Sequence, residues 1–473
     1  MSRRESMTCA HPPIRRQELD GWFGPVFGGA ARQVALAVSG GGDSTALMVL
    51  FAEWLAGTGH SPAEVVVLTV DHGLRPQSRL EALTVAQRAG ELGFGHAILS
   101  WQGNKPKTGV QAAARAARYR LLATYMLEGA RKLLLTAHTA DDQAETLLMR
   151  LARGSGLDGL AAMAPLAPLE VALAPGQGPI FLARPLLAVS KARLEAALIA
   201  RGRGWLEDAS NTASQFERSR LRAAANTLAT LGLTGDSLAL SAQRLQRARA
   251  ALEAMVAGFC AAAAGHYRVD ACGSIRIAGR EWRRLPGELQ VRVLSQAIAA
   301  AGGAGRPLAL AKLEALTTAL AAADAVGAFT LARAAVRLVD GDIVLEREPG
   351  RSPGPELTVA PGAQALWDGR FWVGAGPELD GLLTVRALGR PGVRWLRALG
   401  QLPGGVPIQS LRAVPGFWRH DQLIAAPSLG FLAAPDYNRY GLSAVFAPLA
   451  AGPAVGLKTP AQPAMTALLP QPG

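Results

Sequence analysis

The sequence is poor in cysteine. Its 473 residues include three cysteines, Cys9, Cys260 and Cys272, and no two of them form the close CxxC pair of a zinc or iron–sulfur site. We therefore expect free thiols in a reducing compartment.

Long apolar runs are also missing. The most apolar stretch, residues 250–265, is short and contains Glu253, so it does not reach the ~20 apolar residues that a membrane-spanning helix needs. The basic N-terminus is not followed by an apolar core, which argues against a signal peptide. From both features we expect a cytoplasmic protein without a membrane-spanning helix.

Acidic residues are outnumbered by basic ones. The chain has 49 Lys and Arg against 36 Asp and Glu, a formal net charge of +13. Such a balance favours a polyanionic partner such as a nucleic acid. A basic enzyme from an arginine-rich proteome would show the same excess, so charge alone leaves both interpretations open.

The pattern of apolar residues indicates an α/β protein with several domains. Strand-like runs alternate with helical segments in the first half, which is typical of a parallel sheet. These runs lie at residues 34–38, 65–70, 96–101 and 132–136. We predict a mobile leader, a catalytic α/β domain, a helical domain, a small mixed or β-rich domain and a disordered tail. Their predicted bounds are 1–30, 31–225, 226–347, 360–446 and 447–473.

The strongest local signal is a glycine-rich loop at residues 39–44, between a predicted strand and a predicted amphipathic helix. Three glycines allow a sharp turn, and the N–H groups at a helix start suit a phosphate. Asp43 could then bind magnesium. The predicted ATP-binding residues of the loop are Ser39, Gly40, Gly41, Gly42, Asp43 and Ser44. A Walker Gly-Lys-Ser/Thr ending is missing. A ligand-free turn is the alternative, which the flanking strand and helix disfavour.

Polar residues also follow later strands. Asp71 and His72 stand at the end of the second strand, where open α/β sheets bind ligands. Arg115 and Arg118 are three residues apart and share one face of the next helix. A turn and solvated arginines would be the ordinary explanations.

After the fourth strand, an acidic cluster follows a histidine. His138 precedes a helix on which Asp142 and Glu145 share a face. One face thus offers an imidazole and two carboxylates, which suit an ammonium group and its proton. Helix capping by Asp141, or a solvated acidic first turn, is the alternative.

Six motifs in this order resemble the tRNA(Ile)-lysidine synthetase family of PP-loop enzymes. They are SGGGDS, DHGLRPQS, AARAARYR, TAHTADDQAETLLMRLARGSGLDGL, RPLL and WLEDASN, and the resemblance covers residues 34 to about 222. It implies an N-terminal PP-loop domain of the adenine nucleotide alpha hydrolase type. A helical domain and a small C-terminal domain that grip tRNA would follow.

The resemblance also implies a reaction. ATP adenylates the C2 oxygen of the wobble cytidine in an isoleucine tRNA with a CAU anticodon. The ε-amino group of free L-lysine then attacks C2, AMP leaves, and decoding changes from AUG to AUA.

Roles follow by position in the motifs. Residues 39–44 would bind ATP together with Asp71 and His72, and Asp43 would hold Mg²⁺. Arg118 would assist adenylation. His138, Asp142 and Glu145 would line the reaction pocket, with the two carboxylates binding or deprotonating the lysine amine.

The sequence departs from the family at two positions and leaves other functions open. Ala209 stands where the family usually has proline, and Ser219 where it usually has asparagine. A tRNA-thiolating PP-loop enzyme would ordinarily need paired cysteines, which this chain lacks. A non-catalytic RNA-binding relative is a further alternative function. For the oligomeric state, we consider a homodimer.

Overall fold

The computed structural model describes most of the chain. The described residues are 12–27, 34–74, 77–103, 105–106, 108–169, 180–206, 220–221, 223–262, 265–303, 308–322, 327–348, 350, 354–404 and 406–447. They form two compact units that divide between residues 249 and 250.

A six-stranded sheet forms the centre of the first unit. Its strands are β1 Val34–Ala37, β2 Val66–Asp71, β3 Gly95–Ser100, β4 Leu133–Leu135, β5 Leu166–Pro168 and β6 Phe181–Ala183. They lie in the order β3-β2-β1-β4-β6-β5, and all pairs are parallel except β5 with β6. The predicted parallel α/β fold is thus confirmed. The short edge strand β5 was not predicted.

Helices connect these strands. They are α1 Arg16–Phe27, α2 Gly42–Thr58, α3 Ser78–Glu91, α4 Val110–Glu128, α5 Ala140–Leu151, α6 Leu157–Leu160, α7 Lys191–Ala200, α8 Ala225–Thr230 and α9 Gly235–Ala261, with a 3₁₀ helix at Pro62–Glu64. The division between the units falls within α9. Three adjacent strands, β1, β4 and β6, lead into α2, α5 and α7. The starts of these helices therefore meet at the carboxyl edge of the sheet.

Helix α1 differs from the expectation of a mobile leader. Residues 16–27 are helical, and Leu19, Phe23 and Phe27 are buried. Phe23 packs edge-on against Phe51 of α2, with ring centroids 5.0 Å apart. Gly21, Gly24 and Pro25 interrupt the helical spacing of apolar residues, so the sequence pattern does not predict a helix here. Tertiary packing stabilises the helix despite these residues of low helix propensity.

The second unit contains short helices and antiparallel sheets. Its helices are α10 Gly279–Arg283, α11 Gly287–Gly302, α12 Leu310–Ala321, α13 Gly389–Ala398 and α14 Ile408–Arg412, with 3₁₀ helices at Pro427–Leu429 and Pro435–Tyr440. Its first sheet joins β7 Tyr267–Val269, β8 Ile275–Ile277, β9 Phe329–Leu331, β10 Ala334–Val339 and β11 Asp342–Arg347. Strands β7 and β8 lie in a stretch that was predicted to be helical.

Two further sheets complete this unit. One contains β12 Leu357–Val359, β15 Leu383–Ala387, β16 Pro415–Arg419, β17 Gln422–Ala426 and β18 Phe431–Leu432. The other contains β13 Gln364–Trp367, β14 Phe371–Gly374 and β19 Ser443–Phe446. One hydrophobic cluster takes side chains from Val256 through Leu345 and from Val359 through Phe446. The predicted break between residues 347 and 360 therefore lies within a shared core.

The sequence predicts free thiols and no membrane-spanning helix. Cys260 and Cys272 are buried free thiols, and burial raises the pKa of Cys260 to about 11. Cys9 lies outside the described residues. Among the helices of the described chain, none combines the length and apolar character needed to cross a bilayer.

The packing of α1 gives a stability prediction. Replacing Phe23 by Ala should lower the free energy of unfolding by about 3–5 kcal/mol, because a fully buried aromatic ring leaves a cavity. Chemical unfolding of the whole protein would measure this loss. The matched control is Gln17→Ala on the exposed face of the same helix, which should stay within about 0.5 kcal/mol. Equal stability of both variants would mean that α1 does not pack on α2.

Candidate active site

The glycine-rich loop turns sharply between β1 and α2. Gly40 has a φ of 92°, and a Cβ at this position would lie 2.7 Å from Cδ1 of Leu206. Ser44 closes the turn, because its Oγ accepts hydrogen bonds from the backbone N–H groups of Ser39 and Gly40, both at 3.2 Å. It donates to the carbonyl of Gly41 at 3.0 Å. The conformation of the loop therefore depends on Gly40, which has no Cβ, and on Ser44, whose hydroxyl closes the turn.

The start of α2 is left open to a ligand. Its N-cap is Gly41, and no side chain caps it. The N–H groups of a first helical turn carry the positive end of the helix dipole and lack partners within the helix. This end of α2 consequently offers hydrogen-bond donors to an anion.

A cavity of about 850 Å³ lies beside this helix start. Its walls come from the carboxyl ends of β1, β2 and β4 and from helices α2, α3, α4, α5 and α7. The predicted site residues that line it are Ser39, Gly41, Gly42, Asp43, Ser44, His72, Arg118, His138 and Asp142. The predicted residues of four separate motifs therefore converge on one cavity.

Asp43 is a half-buried carboxylate with one buried oxygen that lacks a partner. Its Oδ1 has no hydrogen-bond partner. Burial raises its pKa from 3.8 to about 6, and nearby Asp142 and Glu195 act in the same direction while Lys191 opposes them. Such a carboxylate gains from any cation that enters the cavity.

His138 is neutral at neutral pH. Burial lowers its pKa to about 4, and the charges of Arg184 and Arg118 add to this effect while Asp142 opposes it. Its Nδ1 lies 2.9 Å from Oγ1 of Thr136, whose hydroxyl donates to the carbonyl of Ala183 at 3.4 Å. With that proton donated, Thr136 accepts the Nδ1–H of His138, which leaves Nε2 as a proton acceptor.

Arg118 lines the cavity together with two histidines, His72 and His138. Its charge contributes to lowering the pKa of both His72 and His138, after the larger effect of burial. Its guanidinium lies 5.0 Å from the ring centroid of Tyr119, and Arg115 contacts the same ring at the same distance. The aromatic ring thus orients a cation at the cavity wall.

Asp71 and His72 have different positions. Asp71 accepts hydrogen bonds from the N–H of Gly73 at 2.8 Å and from Oγ of Ser78 at 2.7 Å, so it holds the turn after β2. His72 lines the cavity, and its buried Nδ1 has no partner.

A second cavity of about 430 Å³ shares Asp43, Asp142 and Lys191 with the first. Glu145 lines this cavity and is buried. The remaining wall is largely apolar and comes from α5, α8 and α9. Its lining includes Leu148, Leu221, Leu228, Leu233 and Leu238. Carboxylates at one end and aliphatic side chains elsewhere suit an ammonium group on an alkyl chain.

Two aspartates of this cluster hold helix starts, although the sequence had left open a capping role for Asp141 alone. Oδ2 of Asp142 accepts from the N–H of Thr139 at 2.9 Å, within a capping box at the start of α5. Oδ2 of Asp141 accepts from the N–H of Lys191 at 2.7 Å and so holds the start of α7. Capping does not remove Asp142 from the site, because this residue still lines both cavities.

Sequence reasoning missed Lys191, Glu195 and Thr136. A lysine in the first turn of a helix is ordinarily solvated, so spacing gave no reason to select Lys191. Its position beside the RPLL motif was the one available signal. Arg75, Glu207, Asp208, Ala209 and Ser219 lie outside the described residues. Within the described part of the chain, no three His, Cys, Asp or Glu side chains form a metal-binding cluster.

The chain is similar to several known proteins. The PP-loop domain family matches residues 16–228. A tRNA(Ile)-lysidine synthase from Methylobacterium nodulans is 44% identical over 367 residues, 74% of this chain and 100% of the relative. One from Bradyrhizobium sp. is 45% identical over 311 residues, 65% of this chain and 84% of the relative. A U34-tRNA thiolase structure from Methanococcus maripaludis matches 49% of this chain and 77% of its own at 15% identity, with a TM-score of 0.39.

The half-buried carboxylate gives a prediction about pH. Because the pKa of Asp43 is raised by folding, the protein without metal or nucleotide should lose stability as the pH rises from about 4 through about 6. Asp43→Asn should remove this loss and stabilise the protein at pH 8 by about 1–3 kcal/mol. Urea unfolding with a chelator, at pH 5 and pH 8, would measure the difference.

Asp236→Asn is the matched control. Asp236 also follows a glycine in the first turn of a helix, but it is exposed. This variant should gain nothing at pH 8. A similar gain in both variants, or none in Asp43→Asn, would contradict the assigned burial cost.

Proposed function

The chain belongs to the tRNA(Ile)-lysidine synthase family, and we propose that it ligates L-lysine to C2 of the wobble cytidine of an isoleucine tRNA with a CAU anticodon. ATP drives the reaction, which changes decoding from AUG to AUA. ATP, free L-lysine and this tRNA are the proposed substrates. We place the reaction in the cytoplasm, and a homodimer stays a prediction.

The observation that carries this proposal is the pair of adjoining cavities. The larger one has a helix start and a glycine-rich loop, which suit the phosphates of ATP. The smaller one has Asp142 and Glu145, which suit an ammonium group. Because the two share Asp43, Asp142 and Lys191, a nucleotide and an amine would meet at one place.

In the proposed first step, the C2 oxygen of cytidine attacks the α-phosphorus of ATP and pyrophosphate leaves. The loop from Ser39 to Ser44 holds the phosphates with its N–H groups. Arg118 donates to the α-phosphate, where charge develops in the transition state. His72 and Arg118 line the same cavity, so both are within reach of the bound nucleotide.

Magnesium fits the site through Asp43. The residue offers a buried, unpartnered Oδ1 whose pKa is raised by burial, so a cation would offset its cost. Magnesium commonly binds one or two carboxylates and completes its shell with water and substrate phosphates. When bound, Mg²⁺ would neutralise phosphate charge and help pyrophosphate to leave.

In the proposed second step, the ε-amino group of L-lysine attacks C2 and AMP leaves. An amine must lose its proton before it can attack. Asp142 and Glu145 bind the ammonium group and align it, and one of them accepts the proton. His138 is uncharged, so it does not repel the incoming ammonium group, and its Nε2 is free to accept a hydrogen bond.

The net charge of +13 supports a polyanionic substrate. In the second unit, α13 carries Arg390, Arg394 and Arg397, and its Trp395 is 46% exposed. Exposed tryptophan among arginines suits contact with RNA bases and phosphates. We propose that this unit contributes to tRNA binding.

The test of this function is incubation of the purified protein with unmodified CAU-anticodon tRNA, ATP, Mg²⁺ and radiolabelled L-lysine. We expect ATP-dependent label in the RNA, and none when the wobble cytidine is replaced by uridine. AMP formation without label would assign the second substrate to another nucleophile.

Carboxylate variants sharpen this test. Asp142→Asn and Glu145→Gln should each lower lysine incorporation at least about 30-fold, because loss of a charged partner for a desolvated ammonium costs about 2–5 kcal/mol. Formation of AMP-labelled tRNA without lysine should fall much less. Glu128→Gln, an exposed carboxylate on α4, is the control and should be active. Full lysine incorporation by Asp142→Asn would contradict the assignment.

A further inference from the structure

Lys191 has a fixed place at the junction of the two cavities. It is the first residue of α7 and follows the N-cap Ser190. Its backbone N–H donates to Oδ2 of Asp141 at 2.7 Å, which ties the start of α7 to the first turn of α5. Its side chain lines both cavities. The ammonium group is therefore delivered from a rigid helix start.

Negative charges surround this ammonium group, but none holds it tightly. Its Nζ lies 3.9 Å from Oε1 of Glu195, and its side chain is 45% exposed. Ion pairs this long and this exposed are weak. Lys191 and Asp43 both line each of the two cavities. The lysine can therefore leave Glu195 for a stronger anion near Asp43 at little cost.

The glycine-rich loop lacks the cation that such an anion needs. A Walker loop supplies a lysine for the outer phosphates from its own motif, whereas residues 39–44 contain none. Helix α7 runs beside the loop, because a Cβ at Gly42 would lie 3.7 Å from Cγ of Glu195. Among the described residues, the Lys and Arg side chains that line the larger cavity are Arg118 and Lys191. Lys191 is the one carried by the helix beside the loop.

We propose that Lys191 binds the β- and γ-phosphates of ATP and the pyrophosphate that leaves. This inference rests on the proposed function for the identity of the nucleotide. Glu195 holds the ammonium group when the cavity has no phosphate and competes with the phosphates for it. Lys191 then plays the part of the Walker lysine, although it comes from a helix about 150 residues further along the chain.

Direct binding to the free, full-length protein tests this proposal. Calorimetric titrations with Mg²⁺ and ATP, pyrophosphate or AMP would compare the wild type with Lys191→Met, Lys191→Arg and Lys312→Met. Lys191→Met should weaken ATP and pyrophosphate at least tenfold, as expected for loss of a charge-assisted hydrogen bond, and AMP less than twofold. Lys191→Arg should keep most of the affinity. Lys312 is exposed on α12, and its variant should bind all three ligands normally.

Glu195→Gln should change the affinity for pyrophosphate in the opposite direction to Lys191→Met. Removing the competing carboxylate should tighten pyrophosphate binding severalfold, and the gain should vanish when Lys191→Met is added. Equal weakening of ATP and AMP by Lys191→Met, or unchanged affinity for all ligands, would overturn the proposal. In another outcome, the wild-type protein incorporates no lysine while Lys191→Met still selectively loses pyrophosphate affinity. This result would refute the proposed function and leave the inference about Lys191 standing.

Discussion

Three helices must begin side by side at one edge of the sheet, and the site depends on this constraint. Strands β1, β4 and β6 are parallel neighbours, so α2, α5 and α7 start close together. Each start presents a positive helix end, and each first turn carries a charged residue, namely Asp43, Asp142 or Lys191. The hydrogen bond from Lys191 N–H to Asp141 joins two of these starts directly. The topology therefore concentrates both signs of charge at one point.

Bringing these charged groups together out of water has a free-energy cost when no ligand is bound. Burial raises the pKa of Asp43 and lowers the pKa of His138, because it penalises the charged form of each side chain. Bound substrates would relieve both costs. Phosphates would meet the helix start of α2 and the cations around it, while an ammonium group would meet Asp142 and Glu145. Affinity and reactivity thus have the same electrostatic source.

Much of the first unit could be predicted from the sequence, because its strands are continuous apolar runs and its motifs directly follow them. The strand-like runs predicted at residues 34–38, 65–70 and 96–101 overlap β1, β2 and β3. Helix α1 was missed because two glycines and a proline obscure the spacing of Phe23 and Phe27. Spacing on a single helix also cannot reveal Lys191, since its neighbours Asp43 and Asp141 come from other helices.

The acidic cluster shows why alternatives drawn from local patterns need not exclude each other. The sequence placed Asp142 in a reaction site and offered helix capping by Asp141, or a solvated acidic first turn, as the alternative. In the structure its Oδ2 belongs to the capping box, and the same carboxylate lines both cavities. The cap fixes the carboxylate in place, which a reaction site needs.

A crystal structure of the protein with Mg²⁺, a non-hydrolysable ATP analogue and L-lysine would test the central claim most directly. The account predicts the phosphates at the start of α2, and the ε-amino group about 3 Å from the carboxylates of Asp142 and Glu145. Lysine bound in the larger cavity, or phosphates placed against Asp142 and Glu145, would contradict the division of the site into a nucleotide side and an amine side.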